Sequence, residues 1–78
     1  MDQQEVRNKV FEMVRKIFNY DGEITMETKA SDIKTWDSMN QIRFIAEVEG
    51  FFSVKFKMKD LISFNSVGSV IVALEKLL

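Results

Sequence analysis

Between Glu5 and Phe18 apolar residues return every three or four positions, with Val6, Val10, Met13, Val14, Ile17 and Phe18 on one side. Arg7, Lys9, Glu12, Arg15 and Lys16 fall on the other side, so this stretch predicts a first amphipathic helix. Asn19-Tyr20-Asp21-Gly22 has turn chemistry, and no sustained period follows until Asp37. A long ordered loop is expected there, with Ile24, Met26 and Ile33 as plugs for the core. From Ser38 onward Met39, Ile42, Ile45, Ala46, Val48 and Phe52 recur at helical spacing and predict a second helix. Asp37 stands where an N-cap or first-turn acid would help it. Gly50 costs a helix interior about 1 kcal/mol relative to alanine, so that helix is expected to fray or end there.

Ser53 to Lys59 alternates apolar and charged residues as a strand would, but a lone strand has no partner, and an extended loop is the expectation. Asp60 to Phe64 has room for one short helical turn. Ser66 can then cap a last helix that turns Val67, Val70, Ile71, Leu74, Leu77 and Leu78 inward. The fold class predicted is all-α: a small four-helix bundle with a long loop between helices 1 and 2 and a short third helix. Ile42, Ile45, Val48, Val67, Val70, Ile71 and Leu74 are assigned to its core.

The length, 78 residues, suits one domain over residues 1–78 and leaves little material for a deep enzyme cleft. With 46% hydrophobic and 29% charged residues the chain is composed to fold rather than to stay disordered. Having neither cysteine nor histidine, it offers no disulfide framework, no thiolate or imidazole for a metal, and no imidazole base. Eleven basic side chains against twelve acidic ones give a net charge of −1, too balanced for nucleic acid binding through a basic field. No run of about 18 apolar residues could span a bilayer, and the start Met-Asp-Gln-Gln-Glu is unlike a signal peptide, so a cytoplasmic location is expected.

The chemistry centres on Asp37-Ser38-Met39. A serine opening a helix is half exposed, and the unpaired N–H groups and positive dipole end of that helix favour a phosphate attached to it. Serine is also a favoured N-cap, so a purely capping role competes on these three residues alone. Trp36-Asp37-Ser38-Met39 runs into Ile42-Arg43-Phe44-Ile45-Ala46-Glu47-Val48-Glu49, followed by Phe52-Ser53-Val54-Lys55-Phe56 and Asn65-Ser66-Val67-Gly68-Ser69-Val70. In this series the sequence resembles the acyl and peptidyl carrier protein family, in which an Asp-Ser-Leu or Asp-Ser-Met motif opens the second helix. The resemblance covers essentially the whole chain and is strongest to carriers from specialised biosynthetic clusters.

The resemblance implies that Ser38 accepts a 4′-phosphopantetheine arm from coenzyme A, with Asp37 helping to present it. The thiol that bears acyl or aminoacyl groups would be the cofactor's, which suits a chain without cysteine. Ser38 is then an acceptor and not a catalyst, and the partners implied are a phosphopantetheinyl transferase and the acyl-loading and acyl-processing enzymes, served by a monomer. Trp36, Met39 and Phe44 cluster around the serine and cannot all face inward, so together with Arg43 they are candidates for a docking surface. Lys55, Lys57 and Lys59 read as a solvated face.

The chain departs from the family at two places. Thr35-Trp36 replaces the small residues that often precede Asp-Ser, and Arg43 with the three lysines contrasts with the acidic carriers of fatty acid synthesis. Two other readings stand beside the carrier. One is a carrier-like interaction module that is not modified; the other is an enzyme with a serine nucleophile, which would need a lysine or carboxylate as its base.

Overall fold

The computed structural model describes residues 2–78. Four helices follow one another: α1, Gln3–Phe18; α2, Ser38–Phe52; α3, Met58–Leu61; and α4, Val67–Leu77. One 3₁₀ turn, Ala30–Asp32, interrupts the long connection between α1 and α2. The all-α bundle with a short third helix is thus the fold formed, and α1 packs against both α2 and α4.

Helix α1 starts two residues before the expected Glu5 because Asp2 caps it, its carboxylate accepting the Glu5 N–H at 2.8 Å. It buries Val6, Val10, Met13, Val14 and Phe18 and ends where Asn19 turns left-handed at φ 50°. In the following turn the Arg15 guanidinium donates to the Gly22 carbonyl at 3.0 Å. The connection then plugs Ile24 and Ile33 into the core, as their isolated apolar character suggested.

That connection is stitched to the start of α4. Val67 N–H donates to the Thr28 carbonyl at 2.9 Å and Gly68 N–H to the Met26 carbonyl at 3.0 Å, while Ala30 N–H donates to the Asn65 carbonyl at 2.9 Å. Two of the N–H groups that a helix start leaves without internal acceptors are therefore satisfied by loop backbone. The approach is so close that a Cβ on Gly68 would collide with the Met26 carbonyl oxygen, a backbone atom that cannot swing aside. Ser66 caps α4 as expected, in a reciprocal box with Ser69: each side chain accepts the other's N–H, at 3.1 and 3.2 Å.

Several expectations need correction. Ile42, assigned to the core, is 70% exposed, whereas Phe44, assigned to a surface, is fully buried. Two residues apart on a helix means about 200° apart, so only one can face inward. Phe44 takes the inner side because the rings of Phe18 and Trp36 lie there, and α2 buries Phe44, Ile45 and Val48. Ala46 is turned out with Ile42.

Gly50 does not end α2. It lies exposed with open space where a Cβ would stand, and the helix runs on until Ser53 adopts φ 56°. Helix α3 begins at Met58 rather than Asp60, with Phe56 and Phe64 buried on either side of it. Leu77 and Leu78, expected inward, are 37% and 60% exposed. They follow Leu74, the last fully buried residue of α4, at the end of the described chain.

Candidate functional site

Ser38 is the first residue of α2 and is exposed. It does not cap the helix: Asp37 does, its carboxylate accepting the Asn40 N–H at 2.8 Å. The capping role that competed for Ser38 is filled by its neighbour, and the serine hydroxyl is left at the surface. Beside it the N–H groups of Ser38 and Met39 belong to the opening turn, which lacks intrahelical acceptors and carries the positive end of the helix dipole. A helix start of this kind favours an anionic group close to it.

The turn that presents the serine is held by a net of short hydrogen bonds. Trp36 N–H donates to the Ile33 carbonyl and Asp37 N–H to the Thr35 carbonyl, both at 3.0 Å. The Asn40 side-chain amide donates to the same Thr35 carbonyl at 2.8 Å, and the Thr35 hydroxyl donates to the Phe18 carbonyl. The indole Nε1–H of Trp36 donates to Gln41 Oε1 at 2.8 Å. Asn40 and Gln41 were missed in the sequence, and Thr35 was noted only as a departure from the family pattern; the available signal was a pair of amides three and four residues after a capping aspartate.

Beneath this turn the Trp36 ring stacks on Phe18, centroids 4.6 Å apart and planes 14° from parallel, and meets Phe44 edge-on at 5.8 Å. Such pairs add about 0.5–1.5 kcal/mol each to the area they bury. Trp36 is thus a half-buried anchor of the turn, and Phe44, wholly buried, offers nothing to a partner. Of the four docking candidates, Met39 and Arg43 stand out in solvent one helical turn apart, with Ile42 beside them.

The acidic groups of α2 are engaged within the chain. Glu47 pairs with Lys16 at 3.5 Å, an exposed and therefore weak contact, and Glu49 accepts the Phe56 N–H at 2.8 Å. Between α2 and α3 runs a surface groove of about 260 Å³ lined by Gln41, Ile42, Ile45, Ala46, Glu49 and Leu61. A wider depression, about 700 Å³, lies where Met26, Lys29 and Ala30 meet Asn65 and Ser66, and includes none of the residues around Ser38.

No protein-family profile matches the sequence, and no curated protein matches it. Solved structures do. A Mycobacterium tuberculosis chain described as a putative acyl carrier protein superposes with a TM-score of 0.85 at 20% identity, covering 94% of this chain and 99% of that one. The solution structure of a holo acyl carrier protein from Geobacter metallireducens gives 0.82 at 27% identity, covering 92% of this chain and 84% of its own. The chain has the acyl carrier protein fold. No helix among the described residues is long and apolar enough to cross a membrane.

Proposed function

We propose that the chain is a non-catalytic acyl carrier protein whose Ser38 bears a 4′-phosphopantetheine arm. The observation that carries this reading is the exposed Ser38 hydroxyl at the first position of α2, relieved of capping by Asp37 and set on a hydrogen-bonded turn. The attachment is made by a separate transferase that removes the hydroxyl proton. Ser38 Oγ attacks the pyrophosphate of coenzyme A, a new P–O bond forms, and adenosine 3′,5′-bisphosphate leaves. The arm then supplies the thiol for acyl or aminoacyl thioesters. This chain's own part is to hold the serine out at a helix start that favours the product's phosphodiester.

Incubation with coenzyme A and a promiscuous transferase is expected to add one cofactor mass, mapped by peptide fragmentation to Ser38 among the six serines. Attachment at another serine, or none with several transferases, would refute the carrier reading and leave a carrier-shaped interaction module.

Met39, Ile42 and Arg43 support a partner surface around the attachment site, used by the transferase and by acyl-loading and acyl-processing enzymes in the cytoplasm. Arg43 and the Thr35-Trp36 pair favour a specialised pathway over general fatty acid synthesis. Because the acids of α2 are tied to Lys16 and to the Phe56 backbone, the free charge nearest Met39 on that helix is the guanidinium. A cognate enzyme therefore presents a neutral or acidic spot there. Arg43→Glu is expected to impair the cognate enzyme and improve processing by general fatty acid enzymes, by an exposed-pair energy of about 0.2–1 kcal/mol and most visibly at low salt. Kinetics left unchanged by the substitution with both enzyme classes at low ionic strength would reduce Arg43 to a solvated charge.

A further inference from the structure

A carrier can hold its thioester cargo inside the helical bundle or leave it in solvent, and the packing around Ser38 bears on which. We infer that the cargo of this chain is a short or polar acyl group held outside the bundle, because aromatic rings fill the core beneath the attachment turn and a buried aromatic pair holds α3 against the groove beside α2. The inference rests on the carrier reading of Ser38 and specifies the class of substrate.

The first way in lies under the attachment turn, where Trp36 stacks on Phe18 at 4.6 Å and abuts Phe44 at 5.8 Å. Phe18 and Phe44 are fully buried, so the space beneath Trp36 is filled by rings. An alkyl chain entering here has to lift Trp36 and break its Nε1–H bond to Gln41. Trp36 lies two residues before Ser38, and its backbone N–H is bonded to Ile33, so lifting it also distorts the turn that presents the serine. Opening the core and presenting the attachment site oppose each other.

The second way in lies between α2 and α3, where the groove bottoms on Ile45, a buried residue. To deepen it, α3 must swing away from α2. Phe56 just before α3 and Phe64 just after it are both buried, 5% and 7% exposed, and meet edge to face at 5.2 Å. The Phe56 N–H is also held by the Glu49 carboxylate of α2 at 2.8 Å. Moving α3 bares two phenylalanines and strands a backbone donor, which are costs of the same sign. A long alkyl chain left outside stays wet and is disfavoured in turn. A short or polar acyl group meets neither difficulty.

The test loads the full chain at Ser38 with acetyl, hexanoyl and decanoyl pantetheine arms, using the matching coenzyme A thioesters and a promiscuous transferase. Cleavage of each thioester by hydroxylamine is compared with cleavage of the same acyl group on free pantetheine, alongside the NMR shifts of the Val48 and Ile71 methyls and the emission of Trp36. The expected result is cleavage within about twofold of the free thioester at every length, since a chain left in water gains no shielding, with core shifts and emission unchanged. A chain buried nine-tenths of the time would protect the decanoyl thioester about tenfold, and that protection with shifts at Val48 and Ile71 would overturn the inference. Failure of every arm to attach would be a different result, visible in the intact mass, and would remove the carrier reading together with what is built on it.

Discussion

Ser38→Ala is expected to abolish cofactor incorporation while leaving the stability of the fold within about 0.5 kcal/mol of the parent, as an exposed substitution away from caps and core usually does. The two halves of this result have separate origins. Incorporation needs the hydroxyl oxygen as acceptor, and the other five serines lie outside the Asp37-Ser38-Met39 turn. Two of them, Ser66 and Ser69, are occupied in the cap of α4. Stability is indifferent because Asp37, not Ser38, accepts the N–H of Asn40, and because alanine is a good residue inside a helix. Intact mass reads the first half and urea denaturation the second. A loss above about 1 kcal/mol, the usual worth of an N-cap, would mean that the serine holds the helix start after all.

Phe18→Ala is expected to cost about 3–5 kcal/mol, the range for truncating a fully buried phenylalanine to alanine. A chain of this length has a total stability on the order of 5–10 kcal/mol, so the variant would stand near its unfolding midpoint. Phe18 is 0% exposed and carries the stacked Trp36 ring on one side and the tilted Phe44 ring, 5.4 Å away, on another. Its removal leaves both rings without their shared partner, so damage should extend to the turn before Ser38. Urea denaturation gives the stability change, and the emission of the single tryptophan gives the local one, with Trp36 expected to be more solvated even in the folded variant. A loss below about 1 kcal/mol would show that the site collapses around the cavity and that Phe18 is not the anchor of the serine turn.

Helices α1 and α4 were legible because each carries a dominant apolar stripe, with Phe11 and Val72 as isolated apolar residues beside it, so 3.6-residue periodicity fixes the element and most of its inner face. Helix α2 was legible as an element but not in phase. Its sequence offers Ile42 and Phe44 as competing inward residues, and the choice was made by Phe18 and Trp36, which reach α2 only through tertiary packing. The end of α2 escaped for a related reason: the glycine lies where nothing demands one, while a serine takes the left-handed turn. The last two leucines look like a continuation of the α4 stripe, yet periodicity says nothing about where the opposing helix stops. At the site, Asp37 and Ser38 were legible as types at a helix start, but which of the two caps is a matter of backbone register by one residue. The net formed by Thr35, Asn40 and Gln41 depends on the chain doubling back on itself, which spacing alone does not reveal.

The bonds from Val67 and Gly68 to the carbonyls of Thr28 and Met26 bear on the order of assembly. Helix α4 has 11 residues, fewer than the roughly 12–15 that an isolated helix needs even to be marginal in water. Its opening turn is finished by backbone about 40 residues earlier in the chain. A nascent polypeptide therefore cannot complete this helix by local winding alone. The irregular segment and the helix must come together as one cooperative unit, whose opening is reported by hydrogen exchange at the Val67 and Gly68 amides. What looks like the least structured part of the molecule is in this sense the template on which its last helix is laid down.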